Sequence, residues 1–332
     1  MTGGAPHVEV VESEPDAADG QPVVVVLDGG MSNALEDRGH DLSGALWTAR
    51  VLRDAPEEIA AVHRAYYDAG ARVATTASYQ ASVAGFVAGG LDRVEAKQLV
   101  ARSVTIAREV RDRMSEDGTS RWVAASVGPY GAVLADGSEY RGRYGLSGAE
   151  LRDFHLPRLE LLASAGPDLL AVETIPDVDE AEVLVQLLDD LGVPAWFSFS
   201  ARGSQTRAGQ PLAEAFAVAA AAECVFAVGV NCCAPSDVLP AVGLAAEVTG
   251  RPAVAYPNSG EEWTARTGRW VGGSSYDESL APSWVRAGAG YVGGCCRTGP
   301  RDIAALAAAV NQLDSPVRCR KNRPVDRVDP AT

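Results

Sequence analysis

A single (β/α)8 TIM barrel, an α/β fold of one domain, is what the sequence predicts, and three observations predict it. Eight short apolar runs rich in Val and aromatic residues recur along the chain, each closed by Gly or small polar residues. Amphipathic segments with helix start and stop signals lie between them. The chain has 332 residues, and barrels of this class run to roughly 250 residues before extensions are added.

The first run, Val23 to Leu27, leads into Asp28-Gly29-Gly30. The second, Val73 to Thr76, leads into Ala77-Ser78-Tyr79-Gln80, and the third, Trp122 to Val127, into Gly128-Pro129-Tyr130-Gly131. Leu169 to Val172 precedes Glu173-Thr174-Ile175-Pro176, and Ala195 to Phe199 precedes Ser200. Val225 to Val230 runs into Asn231-Cys232-Cys233, Ala253 to Tyr256 into Pro257-Asn258, and Gly290 to Val292 into Gly293-Gly294-Cys295-Cys296. Runs without polar alternation fit strands buried on both faces, as in a parallel sheet. Their shortness and Gly/Pro flanks favour strand over buried helix.

Helices are expected in the gaps, because parallel strands need crossovers. Ala55-Pro56-Glu57-Glu58 starts one: Pro suits the first turn and acidic side chains suit the positive helix end. Ser147 with Glu150 is a capping-box pattern ahead of Leu151, Phe154, Leu159 and Leu162. Asp179 to Leu191 stops at Gly192 with Pro194 beyond, and Leu212 to Ala222 and Ser236 to Thr249 are similar. A doubly wound open sheet is the rival fold, but Asp28-Gly29-Gly30-Met31-Ser32-Asn33 lacks the G-x-G-x-x-G phosphate loop. Two Gly- and aromatic-rich stretches, Asp136 to Tyr144 and Ser259 to Ser275 (with Trp263 and Trp270), read as long loops, the first over the barrel mouth.

The domain reading is an acidic disordered leader over 1–21, the barrel over 22–315 and a C-terminal extension over 316–332. The leader lacks the basic and apolar regions of a signal peptide, and no run of about 18 apolar residues exists, so a cytoplasmic protein is expected. A net charge of −15 argues against nucleic acid or an anionic membrane as partner.

Chemistry is concentrated in the cysteines. Strand ends face the active site of a barrel, and the sixth and eighth runs end in Cys232-Cys233 and Cys295-Cys296. Thiolates gathered there suit Zn2+, which binds sulfur at about 2.3 Å in tetrahedral geometry. Neighbouring residues of a regular strand point to opposite faces, so both members of a pair reach one ion only where the backbone leaves strand geometry. Gly293-Gly294 offers that freedom and Asn231 offers less, so one ligand is expected from the first pair and two from the second. Three thiolates leave a fourth position for substrate and a net negative site. Such a site is a poor activator of water but lowers the pKa of an incoming thiol, which favours alkyl transfer to sulfur. Buried packing cysteines, or a redox-sensing barrel using the Cys pairs as disulfides, are the alternatives. Cys224 and Cys319 lie outside the pattern.

Taken in order, these motifs resemble the homocysteine S-methyltransferase family. The resemblance rests on Leu27-Asp28-Gly29-Gly30, Thr76 to Ser82, Ser126 to Gly131, Gly229 to Cys233 and Gly293 to Cys296. The run Leu134-Ala135-Asp136-Gly137-Ser138-Glu139-Tyr140-Arg141-Gly142 is similar to the branch that uses S-methylmethionine. The match covers about residues 22 to 312. It implies a zinc enzyme that methylates homocysteine to methionine, with Cys232, Cys295 and Cys296 as ligands and Cys233 ambiguous. It leaves S-adenosylmethionine or betaine as other donors and selenocysteine as another acceptor.

The resemblance places Glu173 near the substrate ammonium with Asp28 beside it, and Gly29 and Gly30 would let backbone N–H groups approach the carboxylate. Asn231 joins the substrate-binding set. Tyr79 and Tyr130, just past strand ends, are candidate aromatic faces for the sulfonium, worth about 0.5–2 kcal/mol each. None of the four histidines falls at a strand end, so packing or surface roles are expected for them. The sequence leaves donor preference, acceptor range and oligomeric state open.

Overall fold

The structure, a computed structural model, describes residues 24–42, 47–264 and 269–313. The expected leader and the whole of the expected C-terminal extension, with His7 and Cys319, lie outside the described residues.

All eight expected strands are present: β1 (Val25–Val26), β2 (Val73–Thr75), β3 (Trp122–Val127) and β4 (Leu169–Ile175), then β5 (Ala195–Arg202), β6 (Val225–Asn231), β7 (Ala253–Tyr256) and β8 (Ala289–Val292). Each pairs in parallel with its sequence neighbours, and β8 returns to pair with β1. The ring is closed between β1 and β2 by a parallel bridge from Leu27 to Val73, with Arg72 N donating to Val26 O at 2.7 Å. Closure removes every sheet edge, which is why such short strands suffice.

Twelve helices are described around the ring. The first six are α1 (Met31–Asp37), α2 (Trp47–Asp54), α3 (Pro56–Asp68), α4 (Val83–Ala88), α5 (Arg93–Met114) and α6 (Tyr130–Leu134). The rest are α7 (Gly148–Ser164), α8 (Val178–Leu191), α9 (Leu212–Ala219), α10 (Pro235–Thr249), α11 (Ala281–Arg286) and α12 (Pro300–Asn311). The caps follow the sequence. Pro56 opens α3, Ser147 and Glu150 form a reciprocal capping box on α7, and Gly192 ends α8 in the left-handed region at φ 63°. The longest helix, α5, went unplaced by the sequence reading. Its signals were present: an Asp92 cap accepting from Val94 N and Glu95 N, and buried Ala96, Leu99, Val100, Val104 and Ala107 at helical spacing.

The core has two layers. One lies between the sheet and the surrounding helices. The other fills the barrel and includes Val25, Leu27, Val73, Ala171, Trp196, Ala227 and Tyr256. Trp196 and Tyr256 pack edge to face at 6.2 Å and close the barrel beneath the strand ends. The stretch Asp136 to Tyr144 carries a short turn of helix over Ser138–Tyr140. The stretch Ser259 to Ser275, expected as loop, holds an antiparallel hairpin of Glu262–Thr264 with Arg269–Val271. Among the described residues no helix is long and apolar enough to cross a membrane.

Candidate active site

The ends of β6 and β8 bring three sulfurs together. The Sγ atoms of Cys232, Cys295 and Cys296 all lie within 4.8 Å of one another, and Cys232 and Cys296 are 3.7 Å apart. Tetrahedral thiolates at about 2.3 Å from zinc stand about 3.8 Å apart, so the donor set fits this ion.

The backbone achieves this where the sequence did not place the bend. Cys232 itself takes a left-handed conformation, φ 52°. That turn separates the vicinal pair, and Cys233 joins the apolar core at 3% exposure, where burial pushes its thiol pKa up. Cys233 is thereby turned away from the other sulfurs, and a disulfide reading built on vicinal pairs loses one of its two pairs. Cys295 and Cys296 are fixed through their backbones, Cys295 N donating to Pro257 O at 2.7 Å and Cys296 N to Asn258 Oδ1 at 3.1 Å. The Cys295 and Cys296 thiols donate toward Cys232, which pushes its pKa down against its burial while theirs rise.

Beside the sulfurs lies a cleft lined by Asp28, Gly29, Gly30, Tyr79, Glu173 and the three cysteines, together with Gln80, Ser126, Glu139, Tyr140 and Tyr256. Asp28 ends β1 and accepts from Thr75 N at 2.6 Å and Thr75 Oγ1 at 2.8 Å. Burial outweighs those bonds and, with Glu173 nearby, pushes its pKa up to about 8. Glu173, within β4, accepts from the Ser126 hydroxyl and from Tyr256 OH, the latter at 3.1 Å. Burial pushes its pKa up to about 7. Two buried carboxylates of raised proton affinity in one cleft suit a cation.

Asn231 stands one layer behind. Its Oδ1 accepts from Thr174 N at 2.7 Å and its Nδ2 donates to Thr174 Oγ1 at 2.7 Å and toward Cys295 Sγ at 3.8 Å. Thr174 is left-handed at φ 62°, a costly conformation for a β-branched residue. Asn231 therefore fixes the turn that follows Glu173.

Gly29 and Gly30 are required for a different close approach from the one expected. A Cβ on Gly29 would stand 2.4 Å from Thr298 O, and one on Gly30 2.7 Å from Cys295 O. The Gly30 N–H is taken by Thr298 O at 2.9 Å. The pair thus packs the β1 end against the loop carrying Cys295 and Cys296, and the Gly30 amide is not offered to a substrate carboxylate.

The two candidate tyrosines divide. Tyr79 lines the cleft, its ring laid on Gly128, where a Cβ would meet it at 2.6 Å. Tyr130 is not brought into the cleft. It opens α6 with its N–H held by Glu180 Oε1 at 2.6 Å, and its ring packs on Tyr144 and Phe154 at 5.3 and 5.0 Å. Tyr140, in the loop expected over the mouth, reaches the sulfurs instead, its hydroxyl 3.4 Å from Cys232 Sγ.

Two supports come from α7, of which Arg158 was missed in the sequence and His155 was expected to pack. Arg158, 4% exposed on α7, donates to the carbonyls of Gly128, Ser78 and Tyr79 at 2.9, 2.7 and 2.5 Å, and so clamps the β2 and β3 ends. His155 is buried against Glu180 at 2.8 Å. Only the inward register of α7 revealed them. His63 is buried and has no hydrogen-bond partner among the described residues, with its pKa lowered to about 4 by burial, as a packing residue would be. No histidine lines the cleft among the described residues.

The raised carboxyls carry a stability consequence. A carboxyl whose pKa is about 8 folded but near 3.8 unfolded keeps a proton that the unfolded chain has lost. Its contribution is therefore full at acid pH and falls as pH rises through about 8. The ligand-free Tm is expected to fall more steeply between pH 5 and pH 8 in wild type than in Asp28→Asn. Thermal melts across that range check this, and equal slopes would refute it.

Comparison with known proteins agrees with this geometry. A family model described as homocysteine S-methyltransferase matches residues 25–310. The chain is 46% identical over 307 residues to homocysteine S-methyltransferase 4 of Zea mays, covering 87% of this chain and 90% of that protein. It is also 46% identical over 293 residues to the homocysteine S-methyltransferase of Escherichia coli K12, covering 86% and 94%. The crystal structure of the metallated form of the homocysteine methyltransferase MmuM from Escherichia coli superposes with a TM-score of 0.78 at 44% identity, covering 87% of this chain and 97% of that one. With the family model spanning the barrel and these relatives matched over most of their length, the chain belongs to the homocysteine S-methyltransferase family.

Proposed function

We propose that the protein transfers a methyl group from a sulfonium donor, S-methylmethionine, to the sulfur of homocysteine, giving methionine. The observation that carries this is the Cys232–Cys295–Cys296 cluster opening beside a cleft with buried Asp28 and Glu173. Those cysteines would hold zinc, which supplies a Lewis-acidic seat that makes a fourth thiol acidic near neutral pH. The chain's own residues do the rest. Glu173 and Asp28 take the homocysteine ammonium, and that cation draws their pKa values back down on binding. Arg158 holds the Ser78–Tyr79 and Gly128 backbone so that the Tyr79 ring faces the cleft. Tyr140 covers the sulfur side and excludes water.

In the reaction the homocysteine thiol first loses its proton to solvent. Its sulfur then forms a bond to the donor methyl carbon as the donor C–S bond breaks. That bond's electron pair returns to the donor sulfur, leaving a neutral thioether. Holding nucleophile, methyl and leaving sulfur in line is the main catalytic task, and no further general base is needed. S-adenosylmethionine carries the same sulfonium, and selenocysteine would accept methyl by the same displacement.

A donor panel tests the reading. Metal-replete protein with homocysteine is expected to form methionine from S-methylmethionine, more slowly from S-adenosylmethionine, and at least about 100-fold more slowly from betaine, followed by mass spectrometry. No methionine from any of the three would end the proposal.

A further inference from the structure

Two buried oxygens in the cleft have no hydrogen-bond partner among the described residues, and methyl transfer as set out above uses neither. They are Glu139 Oε2 and Gln80 Oε1. Glu139 is 4% exposed and Gln80 5%, and both line the cleft. Gln80 is oriented by its other end: Nε2 donates to Ala132 O at 3.0 Å, so the carbonyl oxygen is the unsatisfied atom. The Glu139 backbone is seated tightly on α6, where a Cβ on Gly131 would stand 2.5 Å from Glu139 N. The next residue, Tyr140, places its hydroxyl 3.4 Å from Cys232 Sγ, and Glu139, Tyr140 and Cys232 line the same cleft. No Lys or Arg lines the cleft among the described residues, and Arg141, whose charge acts on Glu139, is exposed and paired with Asp136 outside it.

Unmatched buried acceptors call for N–H donors. The two substrates bring three cations. The homocysteine ammonium is matched to Asp28 and Glu173. The sulfonium has no hydrogen to donate. The α-ammonium of the methyl donor is left, and it carries three N–H groups.

We propose that Glu139 and Gln80 form the subsite for the α-ammonium of the sulfonium donor, and so determine which sulfonium compounds the enzyme accepts. This rests on the methyl-transfer reading. It selects amino-acid sulfoniums, and it disfavours betaine, whose nitrogen is fully methylated and donates nothing.

The test compares S-methylmethionine with dimethylsulfonium butanoate, the same donor without its ammonium. Wild type is expected to favour S-methylmethionine by about 100-fold in kcat/KM. In Glu139→Gln the preference is expected to fall below about tenfold, through a raised donor KM, while zinc content and the homocysteine KM stay at wild-type values. Gln80→Met, which keeps side-chain volume, is expected to lower the preference by a smaller factor in the same parameter. A wild type that uses both donors equally, or a preference unchanged in both variants, overturns the subsite and leaves methyl transfer standing. Wild-type protein that forms no methionine from either donor removes the methyl-transfer reading, and the subsite with it.

Discussion

Cys296→Ser is expected to lose bound zinc and methyl transfer together, with kcat/KM falling at least about 1000-fold. A hydroxyl is a far weaker zinc donor than a thiolate, and two remaining sulfurs cannot keep an ion that three hold. The fold is expected to survive. The Cys296 backbone is anchored independently of its side chain, its N–H to Asn258 Oδ1 and its carbonyl accepting from Ser259 N at 3.0 Å. Cys233→Ala supplies the contrast. That thiol packs in the apolar core, so its loss removes packing, about 1 kcal/mol, and leaves zinc and turnover in place. Metal analysis beside a methionine assay separates the two. Zinc and activity retained in Cys296→Ser would remove the basis for the whole mechanism.

Glu173→Gln is expected to raise the homocysteine KM about 100- to 1000-fold while zinc stays bound. The substitution keeps the shape but removes one of the two buried counter-charges of the substrate ammonium, a loss of about 3–4 kcal/mol. The side chain stays seated, since Tyr256 OH is itself held by Ser198 Oγ at 2.7 Å and Trp196 Nε1 at 3.1 Å. A pH signature accompanies the change. In the free enzyme Glu173 loses its proton near pH 7, and only the carboxylate binds an ammonium. The wild-type kcat/KM for homocysteine therefore rises with pH through about 7, and again through about 8 as Asp28 loses its proton, and is depressed below that range. In Glu173→Gln that acid limb near pH 7 is expected to disappear. Pre-steady-state or competition binding at pH 6 and pH 8 reads the same difference, and an unchanged homocysteine KM would sink the assignment.

The strands were legible because parallel barrel strands are buried on both faces, so continuous runs such as Leu169 to Val172 and Val225 to Val230 announce themselves. The caps at Pro56, Ser147 and Gly192 were legible because each satisfies helix-end groups locally. The chemistry was partly legible: cysteines at two strand ends converge in any closed barrel, and Asp28 and Glu173 close runs of their own. Tyr130 misled, because a position just past a strand end also opens a helix, and there the ring packs on Tyr144 and Phe154. The left-handed turns at Thr174 and Cys232 were hidden, because neither residue prefers that conformation; their neighbours enforce it.

By itself, then, the amino-acid order determined the closed ring of eight strands, the family resemblance and the meeting of three cysteines at one rim. These are set by local burial pattern and by residues that topology must bring to one rim. Only the tertiary structure decided that Cys232 faces the cleft and Cys233 the core, that Gly29 and Gly30 serve the packing of the Cys295–Thr298 loop, and that Tyr140 and Glu139 reach the site. Those outcomes depend on contacts between residues far apart in the chain, such as Asn231 with Thr174 and Gly30 with Thr298. No local propensity encodes such contacts; they exist only once the ring has closed.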